Sequence, residues 1–159
     1  MKKVVRVASP AAIAVLRQAT AIAPKRMKAS DGLLPSAAHL KQSPNSDHNT
    51  GLAVDLTHDP KNGIDCEFLF EKLKEDKRVD YLIHSGKIWS RERSQEGNRK
   101  YTGSNPHNKH LHISIRSSHA NDTSDWFGFL DKKPTTLAKA KARLAKKPKK
   151  KDIPSPKEA

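Results

Sequence analysis

The pattern of apolar and polar positions predicts two main helices and four strands before residue 131. Apolar residues recur at helical spacing over residues 10–22, and Ser9-Pro10 supplies an N-cap and a first helical residue. A second helical pattern covers residues 66–76. Four shorter segments have the alternation or the apolar composition of strands: residues 51–57, 78–83, 87–90 and 110–116.

The order of these elements predicts the fold class. Helices and strands alternate irregularly, and the central strands are joined by short turns, with Ser85-Gly86 between two of them as in a hairpin. We therefore expect an α+β fold in which a small antiparallel sheet carries helices on one face. The other face of the sheet would be open and would hold the polar side chains of the strands.

Charge divides the chain into a body and a tail. The net charge is +14 over 159 residues, and residues 131–159 hold eleven Lys or Arg against three acids. We expect residues 1–130 to form one domain and residues 131–159 to be a disordered tail that binds polyanions through charge. Because the tail lacks aromatic residues for base stacking, we expect no specific recognition of nucleic acid.

Other features exclude whole classes of protein. No stretch approaches the roughly 20 apolar residues of a membrane span, and Arg6, Pro10 and Arg17 interrupt the apolar N-terminal stretch that could otherwise act as a secretion signal. We therefore expect a monomer made in the cytoplasm without a cleaved signal and with no membrane span. The single cysteine, Cys66, has acidic neighbours that raise a thiol pKa, which disfavours a catalytic thiolate.

Potential metal ligands fall in two short segments. His110 and His112 would project from the same face of one strand, and Asp55 lies on the polar face of another. If these strands are neighbours, Asp55 and His112 meet, and the loop before the first strand can bring His48 to them. Two imidazoles and one carboxylate suit zinc and leave a fourth position for water. A His-x-His pair by itself is more often a solvated pair, so the prediction depends on the whole set.

The two segments together resemble a known enzyme family. Residues 46–55 have the pattern Ser-x-His-x-x-Gly-x-Ala-x-Asp, and residues 110–112 have the pattern His-x-His. Over about residues 30–116 the chain resembles the zinc D-alanyl-D-alanine peptidases and the L-alanyl-D-glutamate endopeptidases of phage lysins. The resemblance implies a zinc-dependent hydrolase that cleaves a stem-peptide or cross-link amide of peptidoglycan.

The resemblance also implies a role for each matching residue. His48, Asp55 and His112 correspond to the zinc ligands of the family. The first histidine of the second motif, His110, would act on the attacking water or the transition state. Some murein endopeptidases of the group carry a further histidine three residues earlier, and His107 matches it.

One position departs from the family pattern. Many relatives place Glu or Asp three residues before the last zinc histidine as the general base, and this chain has Lys109 there. His110 is then the candidate base, because a neutral imidazole with a pKa near 6.5 is matched to neutral pH. His107 would orient it or stabilise the oxyanion.

Four further residues carry weaker predictions. Ser46 and Tyr101 are candidates for lining the cleft and binding substrate, although a surface role suits them equally. Asp59 could supply a carboxylate that fixes a ligand imidazole, but a plain turn is the commoner role of such an Asp-Pro pair. His39 has no partner in sequence and is expected to be solvated.

Three functions are compatible with these observations. The first is a zinc peptidase that acts on peptidoglycan at the cell wall, after release by a lysis partner or delivery in a particle. The second is a catalytically inactive, zinc-containing wall-binding or virion component, which Lys109 favours. The third is a polyanion-binding protein that acts through its basic tail, for example on an anionic wall polymer.

Overall fold

The described part of the chain folds around an antiparallel sheet. The structure is a computed structural model that describes residues 4–131. The five strands are β1 (Ala53–Thr57), β2 (Val79–His84), β3 (Lys87–Ser90), β4 (Arg99–Lys100) and β5 (His110–Ile115). The helices are α1 (Pro10–Ile22), α2 (Ala37–Gln42), α3 (Cys66–Leu73) and α4 (Gly128–Asp131). The predicted α+β class is confirmed.

Strand register places the polar residues of β1 and β5 opposite one another. The strand order is β1-β5-β2-β3-β4, and all pairs are antiparallel. Asp55 pairs directly with His112, and Thr57 pairs with His110. Because side chains alternate between the faces of a strand, this register brings the Asp55 and His112 side chains to the same face. The predicted meeting of Asp55 and His112 depends on these two strands being neighbours, and they are.

Local sequence signals determine where the main helices begin. Ser9 caps α1 by accepting a hydrogen bond from the backbone N–H of Ala12 at 3.2 Å, and Pro10 is the first helical residue. Asp65 caps α3 by accepting from the N–H groups of Glu67 and Phe68. Helix α1 has the predicted bounds, whereas α3 ends at Leu73, three residues before the predicted end.

The core lies between the sheet and these two helices. Helix α1 contacts β1, and α3 contacts β2 and β5. Alanines dominate the buried side of α1, so this helix can approach the sheet closely. Larger apolar side chains fill the remaining space: Leu56, Ile64, Leu69, Phe70, Leu82, Leu111 and Ile113 are all at most 2% exposed. Each such side chain contributes roughly 1.5–3 kcal/mol of burial free energy.

Two predictions about the sheet need correction. The sequence predicts four strands, but the structure has a fifth, because residues 99–100 form the edge strand β4 beside β3. The polar face near Asp55 is partly covered rather than fully open, because His48 and His112 are 6% and 5% exposed. The loops between α1 and β1 and between β4 and β5 supply residues that cover it.

The described residues belong to two units, residues 4–126 and 127–131. In the second unit the structure describes only residues 127–131, which contain α4; the rings of Phe127 and Phe129 are 6.4 Å apart there. The predictions for the basic tail concern residues 131–159, of which 132–159 lie outside the described residues. No helix in the described part is long and apolar enough to cross a membrane.

Candidate metal centre

Three side chains from the predicted set converge on one point. Asp55 Oδ1 lies 3.3 Å from His48 Nε2 and 3.2 Å from His112 Nδ1. The three ligand atoms all lie within 4.8 Å of one another, and the group could hold a metal ion. Neighbouring strands supply Asp55 and His112, and a 3-10 turn over Asp47–Thr50 supplies His48. The structure thus brings together the residues that strand alternation and the motif selected.

The second ring nitrogen of each histidine is also held. His48 Nδ1 donates to the backbone carbonyl of Leu33 at 2.9 Å, so its Nε2 presents a lone pair in the neutral ring. His112 Nε2 lies 2.9 Å from the Ser114 hydroxyl. The ring of Tyr81 stacks on His112 at 5.4 Å with an interplanar angle of 18°. These contacts fix the orientation of both imidazoles before any ion binds.

The turn that carries His48 is built by its own sequence. Ser46 caps the turn, because its hydroxyl accepts from the backbone N–H of His48 at 3.2 Å. Gly51 ends the turn in the left-handed region at a φ of 75°. A Cβ at this position would also lie 3.0 Å from the carbonyl oxygen of Val7. A larger residue at Gly51 would therefore strain the turn and displace His48.

The edge of β1 beside Asp55 is covered by a short pairing with Gly32. The Gly32 N–H donates to the Asp55 carbonyl at 3.1 Å, and the Asp55 N–H donates to the Gly32 carbonyl at 2.8 Å. Arg26 and Asp31 form a buried ion pair at 2.7 Å, and Asp31 also accepts from the Thr57 hydroxyl at 2.7 Å. This network holds the loop that positions the carboxylate.

Asp59 stabilises the same loop through hydrogen bonds. Its carboxylate accepts from the backbone N–H of Met27 at 2.8 Å and from the Asn62 side chain at 2.9 Å. Among the described residues, none of its hydrogen bonds reaches His48 or His112. The predicted role in fixing a ligand imidazole is therefore wrong, and the turn interpretation fits these contacts.

Charge within the group favours an ionised carboxylate. Burial alone would raise the pKa of Asp55, but hydrogen bonds from His112 and His48 and the charges of both rings outweigh it and hold this pKa far below its ordinary value. Burial alone would lower the pKa of His48, but the hydrogen bond and charge of Asp55 raise it above its ordinary value. The carboxylate is thus ionised at any physiological pH.

His107 and His110 lie on the other side of the same carboxylate. His110 Nε2 is 3.6 Å from Asp55 Oδ2, and the His107 and His110 ring centroids are 4.8 Å apart. Burial lowers the pKa of His110, and burial with the neighbouring His112 and His110 lowers the pKa of His107 to about 4. Both rings are therefore neutral at pH 7 and able to accept a proton.

A cleft of about 320 Å³ opens over His48, Asp55, His107 and His112. Its wall includes Ser46 and Tyr101, as predicted, and the Tyr101 ring meets His107 edge-on at 5.5 Å. Ser46 has the additional structural role of capping the turn. Further lining residues come from α2, β2 and the loop before β5: His39, Gln42, Tyr81, Ile83, Ser104 and Asn105.

His39 is a site residue that the sequence does not indicate. It lies half-buried rather than solvated, its ring meets His48 edge-on at 5.6 Å, and its Nε2 is buried without a hydrogen bond in the described part of the chain. Burial, followed by the nearby His48, lowers the pKa of His39. The prediction of a solvated histidine is wrong, because only the docking of α2 against the turn brings these rings together.

Cys66 takes no part in the centre. Its side chain is fully buried, and the thiol donates to the Leu56 carbonyl at 3.4 Å. Burial raises its pKa to about 12, which keeps it protonated. The prediction that this residue is not a catalytic thiolate agrees with the structure.

Comparison with known proteins places the chain in a family without naming an activity. No curated protein and no solved structure matches it significantly. A family model described as "VldE, C-terminal domain" matches residues 8–112. This match covers about two thirds of the chain and includes all three residues of the group that could hold a metal ion. The chain therefore belongs to the family of the VldE C-terminal domain.

Proposed function

We propose that this protein is a zinc-dependent peptidase that hydrolyses an amide of the peptidoglycan stem peptide or cross-link. The observation that carries the proposal is the distance from Asp55 Oδ1 to each of the two histidine nitrogens. Zinc bonds of about 2.0–2.1 Å in a tetrahedron require ligand atoms roughly 3.3–3.4 Å apart. Asp55 Oδ1 lies 3.3 Å from His48 Nε2 and 3.2 Å from His112 Nδ1.

The same two distances are longer than those of simple ion pairs. A charge-assisted hydrogen bond between imidazolium and carboxylate is usually about 2.7–2.9 Å long. Once the His48 ring loses the proton that it shares with Asp55, its remaining N–H donates to Leu33 and its Nε2 carries a lone pair. A bound metal ion would then take the place of that proton between His48 Nε2 and Asp55 Oδ1.

The proposed ligands are His48, Asp55 and His112, which leave one tetrahedral position for water, as in catalytic rather than structural zinc sites. A bound zinc ion would lower the pKa of its water to near 7 and polarise the scissile carbonyl. The second ring nitrogens of His48 and His112 are already held, so binding would need little rearrangement.

His110 is the proposed base. Its Nε2 is buried, lacks a hydrogen-bond partner among the described residues and lies 3.6 Å from Asp55 Oδ2. This nitrogen can accept the proton of the attacking water and later return it to the leaving amine. Lys109 is exposed and cannot take this role. His107, at 4.8 Å between ring centroids, would orient His110 or stabilise the oxyanion.

The substrate class rests on the family resemblance of the two motifs, and the cleft is compatible with it. A groove of about 320 Å³ with hydroxyl, amide and aromatic side chains on its wall suits a polar peptide. Ser46 and Tyr101 are the proposed substrate contacts. The protein would meet its substrate at the cell wall, after release by a lysis partner or delivery in a particle.

Digestion of purified peptidoglycan tests this function. We expect the full chain to release new amino termini, to lose this activity with a chelator and to regain it with zinc. Mass analysis of the products would identify the bond. His119→Ala is a matched control, because His119 contacts Asp122 away from the cleft. A protein loaded with one equivalent of zinc that releases no amino termini from any peptidoglycan tested would contradict the proposal.

A wall-binding protein that holds zinc without turnover is the second candidate. The specific observation in its favour is Lys109, which stands where many peptidases of the resembled family carry an acidic base. In that case the protein would bind zinc and co-sediment with peptidoglycan but would release no products. The same digestion, combined with a sedimentation assay, separates the two candidates.

A further inference from the structure

A second set of donor atoms lies beside the first and shares Asp55 with it. Asp55, His107 and His110 each offer one ligand atom, and these atoms lie within 4.8 Å of one another. The two sets meet at different oxygens of the carboxylate. Oδ1 faces His48 and His112, whereas Oδ2 faces His110 at 3.6 Å.

The histidines of this second set have ring nitrogens available for a ligand. His110 Nε2 is buried and has no hydrogen-bond partner among the described residues, which is costly for a polar atom. His107 Nδ1 donates to the Asn105 carbonyl at 2.6 Å, which leaves Nε2 with the lone pair. The backbone of His107 has a φ of 62°, and its N–H donates to the Asn105 side chain at 3.0 Å. These contacts hold the ring toward the cleft in an otherwise unfavourable conformation.

We propose that Asp55, His107 and His110 form a second, weaker zinc site, so that the fully loaded protein holds two ions bridged by the Asp55 carboxylate. In two-metal centres the ions lie about 3.5–4 Å apart, and a carboxylate with one oxygen toward each ion is a suitable bridge. Two histidines and one carboxylate again match the ligand preferences of zinc.

The second ion is held less firmly for two physical reasons. It approaches a site that already carries one dication, which repels it at short range. His110 also lies farther from its carboxylate oxygen, at 3.6 Å, than His48 or His112 does, at 3.3 and 3.2 Å. The two ions should therefore load in separate steps.

The second site gives the centre a regulatory property, which rests on the proposed function. A zinc ion on His110 occupies the nitrogen that would accept the proton of the attacking water. The protein with one ion is then the active form, and a second ion inhibits it. Hydrolysis should rise with the first equivalent of zinc and fall as the second site fills.

Zinc titration of the metal-free full chain tests the second site. We expect calorimetry and native mass spectrometry to show two bound ions that load in two steps. His107→Ala should lose the weaker ion and keep the tighter one, whereas the control His119→Ala should keep both. With cobalt(II) as a probe, the second equivalent should change the visible spectrum of the first, because both ions would share Asp55.

The outcomes separate this inference from the proposed function. A wild-type protein that binds one ion and hydrolyses peptidoglycan would overturn the second site and leave the proposed function standing. A second ion that His107→Ala retains would also overturn it. A protein that binds no zinc would overturn both. Two ions in the wild type, with no hydrolysis even at one equivalent of zinc, would support the second site and contradict the peptidase.

Discussion

The two sides of Asp55 are built differently. On one side, Oδ1 faces His48 and His112, whose second ring nitrogens are held by a backbone carbonyl and by Ser114. On the other side, Oδ2 faces His110, whose Nε2 has no hydrogen bond in the described part of the chain. A ring held at its second nitrogen suits a fixed metal ligand, and a ring with an uncommitted nitrogen suits proton transfer. Metal binding and proton transfer should therefore respond to different substitutions.

Loss of the shared carboxylate should have the largest effect. In Asp55→Ala we expect the affinity for zinc to fall by more than about 100-fold. Loss of a residue that only hydrogen-bonds to a metal ligand already lowers metal affinity by about 10–100-fold, and Asp55 is itself a proposed ligand. Hydrolysis of peptidoglycan should be lost with it. Metal analysis after dialysis against a weak chelator measures the effect. Asp122→Ala, which removes a half-buried carboxylate near Arg78, is the control and should bind zinc normally. Tight zinc binding by Asp55→Ala would mean that the ion lies elsewhere.

Loss of the proposed base should slow hydrolysis without weakening the binding of the first zinc ion. In His110→Ala, at one equivalent of zinc, we expect the rate of hydrolysis to fall by about 10²–10⁴-fold, the usual contribution of a general base. The first zinc ion should bind with unchanged affinity. Single-turnover digestion and zinc titration of the same sample measure both quantities. Full activity in this variant would remove His110 from the chemistry.

Removal of a contact behind a ligand should have a smaller effect. In Ser114→Ala the Nε2 atom of His112 loses its 2.9 Å partner, so the ring is less well oriented. We expect zinc affinity to fall by about 10–100-fold while the fold is retained. Competition with a chromophoric chelator measures the affinity, and the far-ultraviolet circular dichroism spectrum checks the fold. An unchanged affinity would show that Tyr81 stacking alone is enough to orient the ring.

The smallest expected effect is a graded dependence on pH. Asp55 raises the pKa of His48 above its ordinary value of 6.5. In the metal-free protein a proton therefore still competes with zinc for His48 at pH 6.5, and it competes more strongly at lower pH. As the pH falls through this raised pKa, zinc affinity should decrease by about tenfold per pH unit for this one proton. Calorimetry at several pH values measures it. An affinity that is constant between pH 8 and pH 5.5 would contradict the assignment of His48 as a ligand.

Local signals explain what the sequence could predict. Ser9-Pro10 marks the start of α1, and strand alternation alone places Asp55 and His112 on facing positions once the two strands are neighbours. These features depend on residues close in sequence. The motif in residues 46–55 adds His48 through a turn whose cap and final glycine belong to the same segment.

Features that depend on tertiary contacts could not be predicted in the same way. His39 joins the cleft only because α2 packs beside the turn that carries His48. Asp59 supports Met27, which is 32 residues away, and no local pattern indicates that contact. The short strand β4 has two charged residues and forms only because β3 offers it an edge. Propensity and periodicity carry no information about such long-range pairing.

The central claim is that His48, Asp55 and His112 hold one zinc ion together. Anomalous diffraction at the zinc absorption edge, from a crystal of the protein with one equivalent of zinc, tests it most directly. We expect one strong peak in contact with His48 Nε2, Asp55 Oδ1 and His112 Nδ1, at distances of about 2.0–2.2 Å. A peak elsewhere, or no peak at all, would contradict the account.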